Sequence, residues 1–252
     1  MFKDLHFKTA LITGGSNGIG EEMVKKFAQY TKTVIVGDKD REKGEILSKL
    51  FNNVHYIELN LGSVNSIKQF VQKVTNLYSH VDILINNAAI SKGDSFLETS
   101  FEKWKETIDI NLNGTFYLSQ LIVKEMINHE IDGKVINIAS INSFASEKNA
   151  SPYVASKGGI NQLTKSMATD LGEYSINVNA IAPGPIKTDT KRVYFDTDPV
   201  YTGIKRGVPL GRPGAPEDIS FLAIYLASNK SNFIHGETIV VDGGFTSYIR
   251  QD

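Results

Sequence analysis

Tyr153 and Lys157 stand four residues apart in Tyr153-Val-Ala-Ser-Lys157. Inside a helix that spacing puts both side chains on one face. A phenol ionises near pH 10 and is a poor base at neutrality, but a neighbouring ammonium favours the phenolate. Such a pair could take the proton of an alcohol, or return it to a developing alkoxide, without a histidine. Ser140 ends the apolar run Val135-Ile-Asn-Ile-Ala-Ser140 and lies thirteen residues before Tyr153, with Ser143 as a nearby competitor. A Tyr-x-x-x-Lys pair alone usually means helix surface, so its meaning depends on what else the chain carries.

The second constellation is Thr13-Gly14-Gly15-Ser16-Asn17-Gly18-Ile19-Gly20, between an apolar run and a helical pattern. Glycines there let the backbone turn tightly and bring N–H groups up to a pyrophosphate, and the helix N-terminus adds partial positive charge. That placement supports nucleotide binding far better than the glycines alone. Asp38 follows the next apolar run, Thr33-Val-Ile-Val-Gly-Asp38. A carboxylate there can accept from both adenosine ribose hydroxyls and repel a 2′-phosphate, which predicts NAD rather than NADP. Ser16 and Asn17 agree, since the turn carries no basic residue; Lys39 and Arg41 are the cations close enough to argue otherwise.

These residues need a scaffold. Apolar, β-branched runs at 9–13, 33–36, 55–58, 83–85, 134–139, 177–181 and 238–241 read as seven strands buried on both faces. Helical patterns fall at 20–30, 63–78, 101–128 (broken near Gly114), 151–172 and 217–227. Strand–helix alternation predicts a single doubly wound α/β domain of the Rossmann kind over residues 1–252, a seven-stranded parallel sheet with helices on both faces. Residues 183–216, rich in Gly and Pro, read as one long irregular stretch, with a mobile substrate lid at about 184–214.

Composition narrows the function classes. With a formal net charge of -1, no basic face for nucleic acid or an anionic membrane is expected, and the absence of cysteine excludes disulfides and thiol chemistry. The five histidines are scattered without His-x-x-x-His spacing, so no metal site is expected. Gly-x-Ser-x-Gly and the Gly-Lys-Ser/Thr ending of a kinase-type phosphate loop are both missing. No stretch reads as a signal peptide or membrane span, so a soluble cytoplasmic protein is the expectation.

Gly14-x-x-x-Gly18-x-Gly20 after Thr13, Asn86-Asn87-Ala88-Ala89, Ser140, Tyr153-x-x-x-Lys157 and Val241-Asp-Gly-Gly244 together resemble the short-chain dehydrogenase/reductase family along essentially the whole chain. The resemblance implies a catalytic set of Asn111, Ser140, Tyr153 and Lys157, with an Asn111 carbonyl holding a water in a proton relay with Lys157. It implies cofactor contacts from Gly14, Ser16, Asn17, Gly18, Ile19, Gly20, Asp38, Asn60, Leu61, Asn87, Ala88, Tyr153, Lys157, Pro183, Gly184, Ile186 and Thr188. Ile186 would meet the carboxamide through its backbone and Thr188 through its hydroxyl. Two positions depart from the pattern: Ala89 replaces the usual glycine, and Asn60 the usual aspartate near adenine. The family is commonly tetrameric, which implies a homotetramer paired through helices 101–128 and 151–172.

The expected activity is hydride transfer between NAD(H) and an alcohol or its carbonyl. A sugar or polyol is the first expectation, because the segment after Ser140 resembles that of glucose-dehydrogenase-like members of the family; Asn142, Glu147, Lys148 and Asn149 there read equally as groups that meet hydroxyls or as a solvated loop, and Thr190, Lys191, Arg192, Tyr194 and Phe195 belong to the expected lid. A 3-oxoacyl thioester comes second and an apolar alcohol such as a steroid third. The reading from a different class is a nucleotide-sensing binding protein on the same fold. A sensor has no need of Ser140, Tyr153 and Lys157 together.

Overall fold

The computed structural model describes residues 2–91, 93–188 and 199–247. Seven strands form one sheet: β1 (Thr9–Thr13), β2 (Thr33–Asp38), β3 (Val54–Glu58), β4 (Ile83–Asn86), β5 (Lys134–Ile138), β6 (Asn177–Pro183) and β7 (Thr238–Val241). Their order is β3-β2-β1-β4-β5-β6-β7, and every pairing is parallel. This is the doubly wound Rossmann architecture expected from the alternation of runs.

The two-sided burial of the strands has a direct cause. Ala10 and Ile12 of β1 face one core with Met23, Val24 and Phe27 of α1 (Gly18–Ala28), Leu47 of α2 (Arg41–Leu50) and Ile219 of α8 (Pro216–Ala227). Leu11 faces the other core, with Ile67 and Phe70 of α3 (Val64–Tyr78) and Leu118 and Ile122 of α5 (Thr115–Asn128). Successive side chains of a strand point to opposite faces, so a strand covered on both must be apolar throughout.

The long pattern at 101–128 is one helical path with a widened middle. α4 (Phe101–Ile108) passes into a π-helical segment, Asp109–Gly114, and then into α5. A π segment inside an α-helix usually marks a functional position. Here a Cβ on Gly114 would lie 2.3 Å from the Leu61 carbonyl oxygen, so only glycine lets the helix pass the β3–α3 loop. α6 (Ser151–Leu171) starts with Pro152 in its first turn, where a missing N–H costs nothing.

Two helices were not legible. α2 was missed although Asp40 caps it, accepting from the Lys43 amide at 3.2 Å. α7 (Pro199–Gly207) lies inside the stretch read as irregular. Of the expected lid, the structure describes 184–188 and 199–214; Thr190, Lys191, Arg192, Tyr194 and Phe195 lie outside the described residues.

Candidate active site

The order of the strands reverses direction between β1 and β4, and a crevice opens there at the carboxyl ends of the strands, the usual ligand position in an open α/β sheet. It is a cleft of about 840 Å³, lined on one side by Gly14, Asn17, Gly18, Ile19 and Gly20 and on the other by Asn60, Leu61, Asn87 and Ala88. Asp38 and Thr188 also line it.

The glycine-rich turn is built for close approach. Gly14 and Gly18 have φ of 64° and 55°, in the left-handed region that favours glycine. A Cβ on Gly20 would lie 2.0 Å from the Gly14 carbonyl oxygen. Asn17 is the N-cap of α1, yet its side chain makes no capping bond. The first amides of α1 are therefore left without the usual side-chain acceptor. The Ser16 hydroxyl is buried without a partner. Uncapped helix amides, an orphaned hydroxyl and glycines without Cβ atoms together fit a dinucleotide pyrophosphate.

Asp38 is braced for its position. Its carboxylate accepts from the Ser16 amide and from the Asp40 amide, both at 3.0 Å. Asn87 joins β4 to the turn: its Nδ2 donates to the carbonyls of Thr13 and Gly14 at 3.0 and 2.9 Å. The Thr13 hydroxyl accepts from the amides of Asn87 and Ala88 at 3.0 and 3.1 Å. Asn60 turns its Oδ1 to the Gly62 amide at 3.0 Å, so the side chain expected near adenine also closes its own loop.

The expected chemical groups converge. Ser140 lies two residues beyond the end of β5, where its Oγ accepts from the Asn142 amide at 3.1 Å and lies near enough to the Tyr153 phenol to lower it. Lys157, one turn along α6, is 3 % exposed. Its Nζ donates to the Ile138 carbonyl at 2.6 Å and stands 5.6 Å from the centre of the Tyr153 ring. The Ser143 hydroxyl donates to the Lys157 carbonyl at 2.8 Å. Asn111 sits in the π segment, where Nδ2 donates to the Ile90 carbonyl at 2.9 Å and Oδ1 accepts from the Ile90 amide at 2.8 Å. Nδ2 also reaches the Ser156 hydroxyl at 3.1 Å, which donates to the Tyr153 carbonyl at 2.7 Å. The side chain thus ties the widened helix to the loop after β4 and to the start of α6.

The electrostatics differ from the sequence expectation. Burial pushes the Tyr153 phenol up; the bond to Ser140 pulls it down and the Glu147 charge raises it further. Burial lowers Lys157 to about 8. Desolvation disfavours the charged form of both.

Other expected residues lie apart from the cleft lining. Ile186 bridges to Gly214, with the Lys187 amide donating to Gly214 at 2.8 Å and the Gly214 amide to Pro185 at 2.9 Å. In a parallel pairing this turns the Ile186 amide and carbonyl the other way. Pro183 ends β6, and Gly184 passes so close to Asp242 that a Cβ would lie 2.5 Å from the Asp242 Cβ. Residues missed in the sequence also line the cleft: Glu102, Lys105, Glu106, Asp109 and Ile110 of the α4–π path. Their helical pattern was legible, but the fold alone brings that helix beside the glycine turn. Among the described residues, no group of His, Cys, Asp or Glu could hold a metal ion, and no helix is long and apolar enough to cross a membrane.

Comparison with known proteins agrees with this geometry. Residues 14–246 match the family described as enoyl-(acyl carrier protein) reductase. The chain is 38% identical over 249 residues to an uncharacterized oxidoreductase of Thermotoga maritima, covering 96% of this chain and 97% of that one. It is 35% identical to the 3-oxoacyl-[acyl-carrier-protein] reductase of Aquifex aeolicus, covering 95% and 98%. A gluconate 5-dehydrogenase from Burkholderia cenocepacia, solved with NADP and tartrate, superposes with a TM-score of 0.91 at 30% identity, covering 97% of each chain. The chain belongs to the short-chain dehydrogenase/reductase family, oxidoreductases that act on CH–OH groups with a nicotinamide nucleotide.

Proposed function

We propose that the protein interconverts a secondary alcohol of a sugar or polyol and its carbonyl, with NAD(H) as cofactor. The observation that carries this reading is the buried Lys157 ammonium 5.6 Å from the centre of the Tyr153 ring, with buried Ser140 near the phenol. A nicotinamide nucleotide, when bound, supplies the hydride acceptor or donor.

The residues supply the rest. Ser140 and Tyr153 hold the substrate oxygen between two hydroxyls. In oxidation Tyr153 takes the hydroxyl proton; in reduction it returns one. Lys157 sets the charge beside Tyr153. Asn111, through its main-chain carbonyl and a water, links Lys157 to solvent. The glycine turn with Ser16, Asn17 and Ile19 holds the pyrophosphate, and Asn60, Leu61, Asn87 and Ala88 border the adenosine. Pro183, Gly184, Ile186 and Thr188 orient the nicotinamide end. Asp38 accepts from the ribose hydroxyls, and its fixed negative charge supports NAD over NADP. Phe101, Trp104 and Phe116, exposed on α4 and α5, support pairing of those helices in a homotetramer.

The sugar or polyol class draws on the segment after Ser140: Asn142 is buried there, and the Glu147 charge reaches Tyr153. Its likeness to a gluconate 5-dehydrogenase points the same way. The relative named 3-oxoacyl-[acyl-carrier-protein] reductase favours a second reading, reduction of a 3-oxoacyl thioester. The test is absorbance of reduced nicotinamide with NAD⁺ and NADP⁺ across sugars, polyols and secondary alcohols, and NADH or NADPH oxidation with a 3-oxoacyl thioester. Turnover on polyols with NAD⁺, lost in Tyr153→Phe, supports the first reading. Turnover confined to the thioester replaces it with the second. Tight NADH binding without any turnover points to a sensor.

A further inference from the structure

Tyr153 and Lys157 both belong to α6, but different elements hold them. Lys157 is tethered to β5 through the Ile138 carbonyl. Tyr153 lies in the first turn of α6, which has no side-chain cap, because the N-cap residue is Ala150. An uncapped first turn is the part of a helix most prone to fray. Ser156 braces it, with a side chain that is fully buried. The Ser156 hydroxyl gives its single proton to the Tyr153 carbonyl at 2.7 Å, and its oxygen accepts from Asn111 Nδ2 at 3.1 Å. The Asn111 amide in turn clamps Ile90, which lines the cleft. One hydroxyl therefore joins the cleft wall after β4, the π segment and the main chain of Tyr153. Further along, α6 repeats the device: Thr164 donates to the Ile160 carbonyl at 2.8 Å and accepts from Asn137 Nδ2 at 2.9 Å. This second copy ties α6 to β5, roughly 16 Å along the helix from Tyr153 at 1.5 Å of rise per residue.

We propose that Ser156 is a positioning residue: by fixing the first turn of α6 to the π segment and to the wall after β4, it sets where the Tyr153 phenol stands relative to Lys157 and a bound nicotinamide. The proposal rests on Tyr153 being the acid–base group. Without the hydroxyl the turn loses its link to Asn111, while Lys157 stays where the Ile138 carbonyl holds it. The phenol is then free to shift against a charge that does not move with it. Coulomb attraction falls with distance, so the phenolate loses support. Removing the Thr164 hydroxyl deletes the same kind of bond and leaves the turn that carries Tyr153 untouched.

Ultraviolet difference titration in saturating NAD⁺ tests this without any substrate. The proteins are the wild type, Ser156→Ala and Thr164→Val, each compared with its own Tyr153→Phe counterpart, and NADH binding is followed by fluorescence. Ser156→Ala is expected to raise the Tyr153 midpoint by about one pH unit, the scale of a displaced neighbouring charge, while NADH affinity stays within about twofold. Thr164→Val is expected to lower the unfolding temperature at least as much as Ser156→Ala and to leave the midpoint alone. An unchanged or lowered midpoint in Ser156→Ala, or an equal shift in Thr164→Val, overturns the positioning role. A parallel loss of NADH binding in Ser156→Ala overturns it too, because the hydroxyl then serves the cleft wall and not the phenol. If NAD⁺ fails to lower the wild-type midpoint, the reading of Tyr153 as a cofactor-assisted base falls, while the difference between wild type and Ser156→Ala still judges Ser156.

Discussion

Lys157 stands beside Tyr153 without bonding to it: its Nζ donates to the Ile138 carbonyl at 2.6 Å and lies 5.6 Å from the centre of the Tyr153 ring. The ammonium is therefore held by the end of a core strand, next to a phenol that burial has pushed up. In the proposed mechanism the positive ring of a bound nicotinamide would supply the charge that brings the phenol down.

Ultraviolet titration of the protein without cofactor should show Tyr153 ionising with a midpoint above the usual 10.0, since burial raises its phenol. The signal is the difference between wild type and Tyr153→Phe. With NAD⁺ added, that ionisation should move down toward neutrality. Ionisation near pH 7 in the protein alone would refute the account.

Tyr153→Phe should lower turnover about 10²–10⁴-fold, the usual scale of general acid–base catalysis, with NADH affinity little changed. Stopped-flow turnover and fluorescence titration separate these effects. A loss confined to binding would move Tyr153 out of the chemistry.

Lys157→Met should cost both activity and stability. It leaves the Ile138 carbonyl, now bonded at 2.6 Å, without its partner. A buried acceptor left unsatisfied costs about 1–3 kcal/mol, readable in denaturant unfolding. The remaining rate should depend on more alkaline pH than in the wild type.

The same lysine gives a stability signature. Burial lowers its folded value from 10.5 to about 8. Between those values the unfolded chain binds more protons than the fold, so this group's contribution to stability rises with pH through the window. Below about 8 both states are protonated and the penalty is fully present; above 10.5 both are neutral and it is gone. Relative to Lys157→Met, the wild type should gain stability on going from pH 8 to 10, measured by urea unfolding. A relative loss over that range would contradict the burial of a charged Lys157.

Asn111→Leu should loosen the π segment and the loop after β4 together. It removes the paired bonds to the Ile90 amide and carbonyl, 2.8 and 2.9 Å long, and the bond to Ser156. An unfolding loss of about 2 kcal/mol is expected, with faster amide exchange at Ile90. Gly20→Ala tests the turn itself: its new Cβ would meet the Gly14 carbonyl oxygen at 2.0 Å, so NADH binding should be lost.

Read along the chain, the fold and the reacting groups were largely legible. The strands declared themselves because burial on both faces demands continuous apolar runs, as in Thr9–Thr13. Tyr153, Lys157 and Ser140 were legible because a four-residue helical spacing and a strand end are local properties. α2 hid because its exposed face carries most of its residues and only Gly44 and Leu47 are buried.

What only the tertiary structure decided are relationships between distant segments. The bond from the Ser143 hydroxyl to the Lys157 carbonyl, 2.8 Å long, joins a loop to a helix that spacing alone does not bring together. The clamp from Asn111 to Ile90 and the strap from Lys43 to Asn17 join residues 21 and 26 positions apart. Spacing along a chain sets which side chains share one helix or strand face, whereas the packing of separate elements sets which charges meet. The sequence by itself determined the fold class and the spacing of the glycine turn and of Tyr153 and Lys157; burial and cross-element contacts decided their partners and the direction in which their ionisation shifts, because desolvation and Coulomb terms depend on distances that only the folded chain defines.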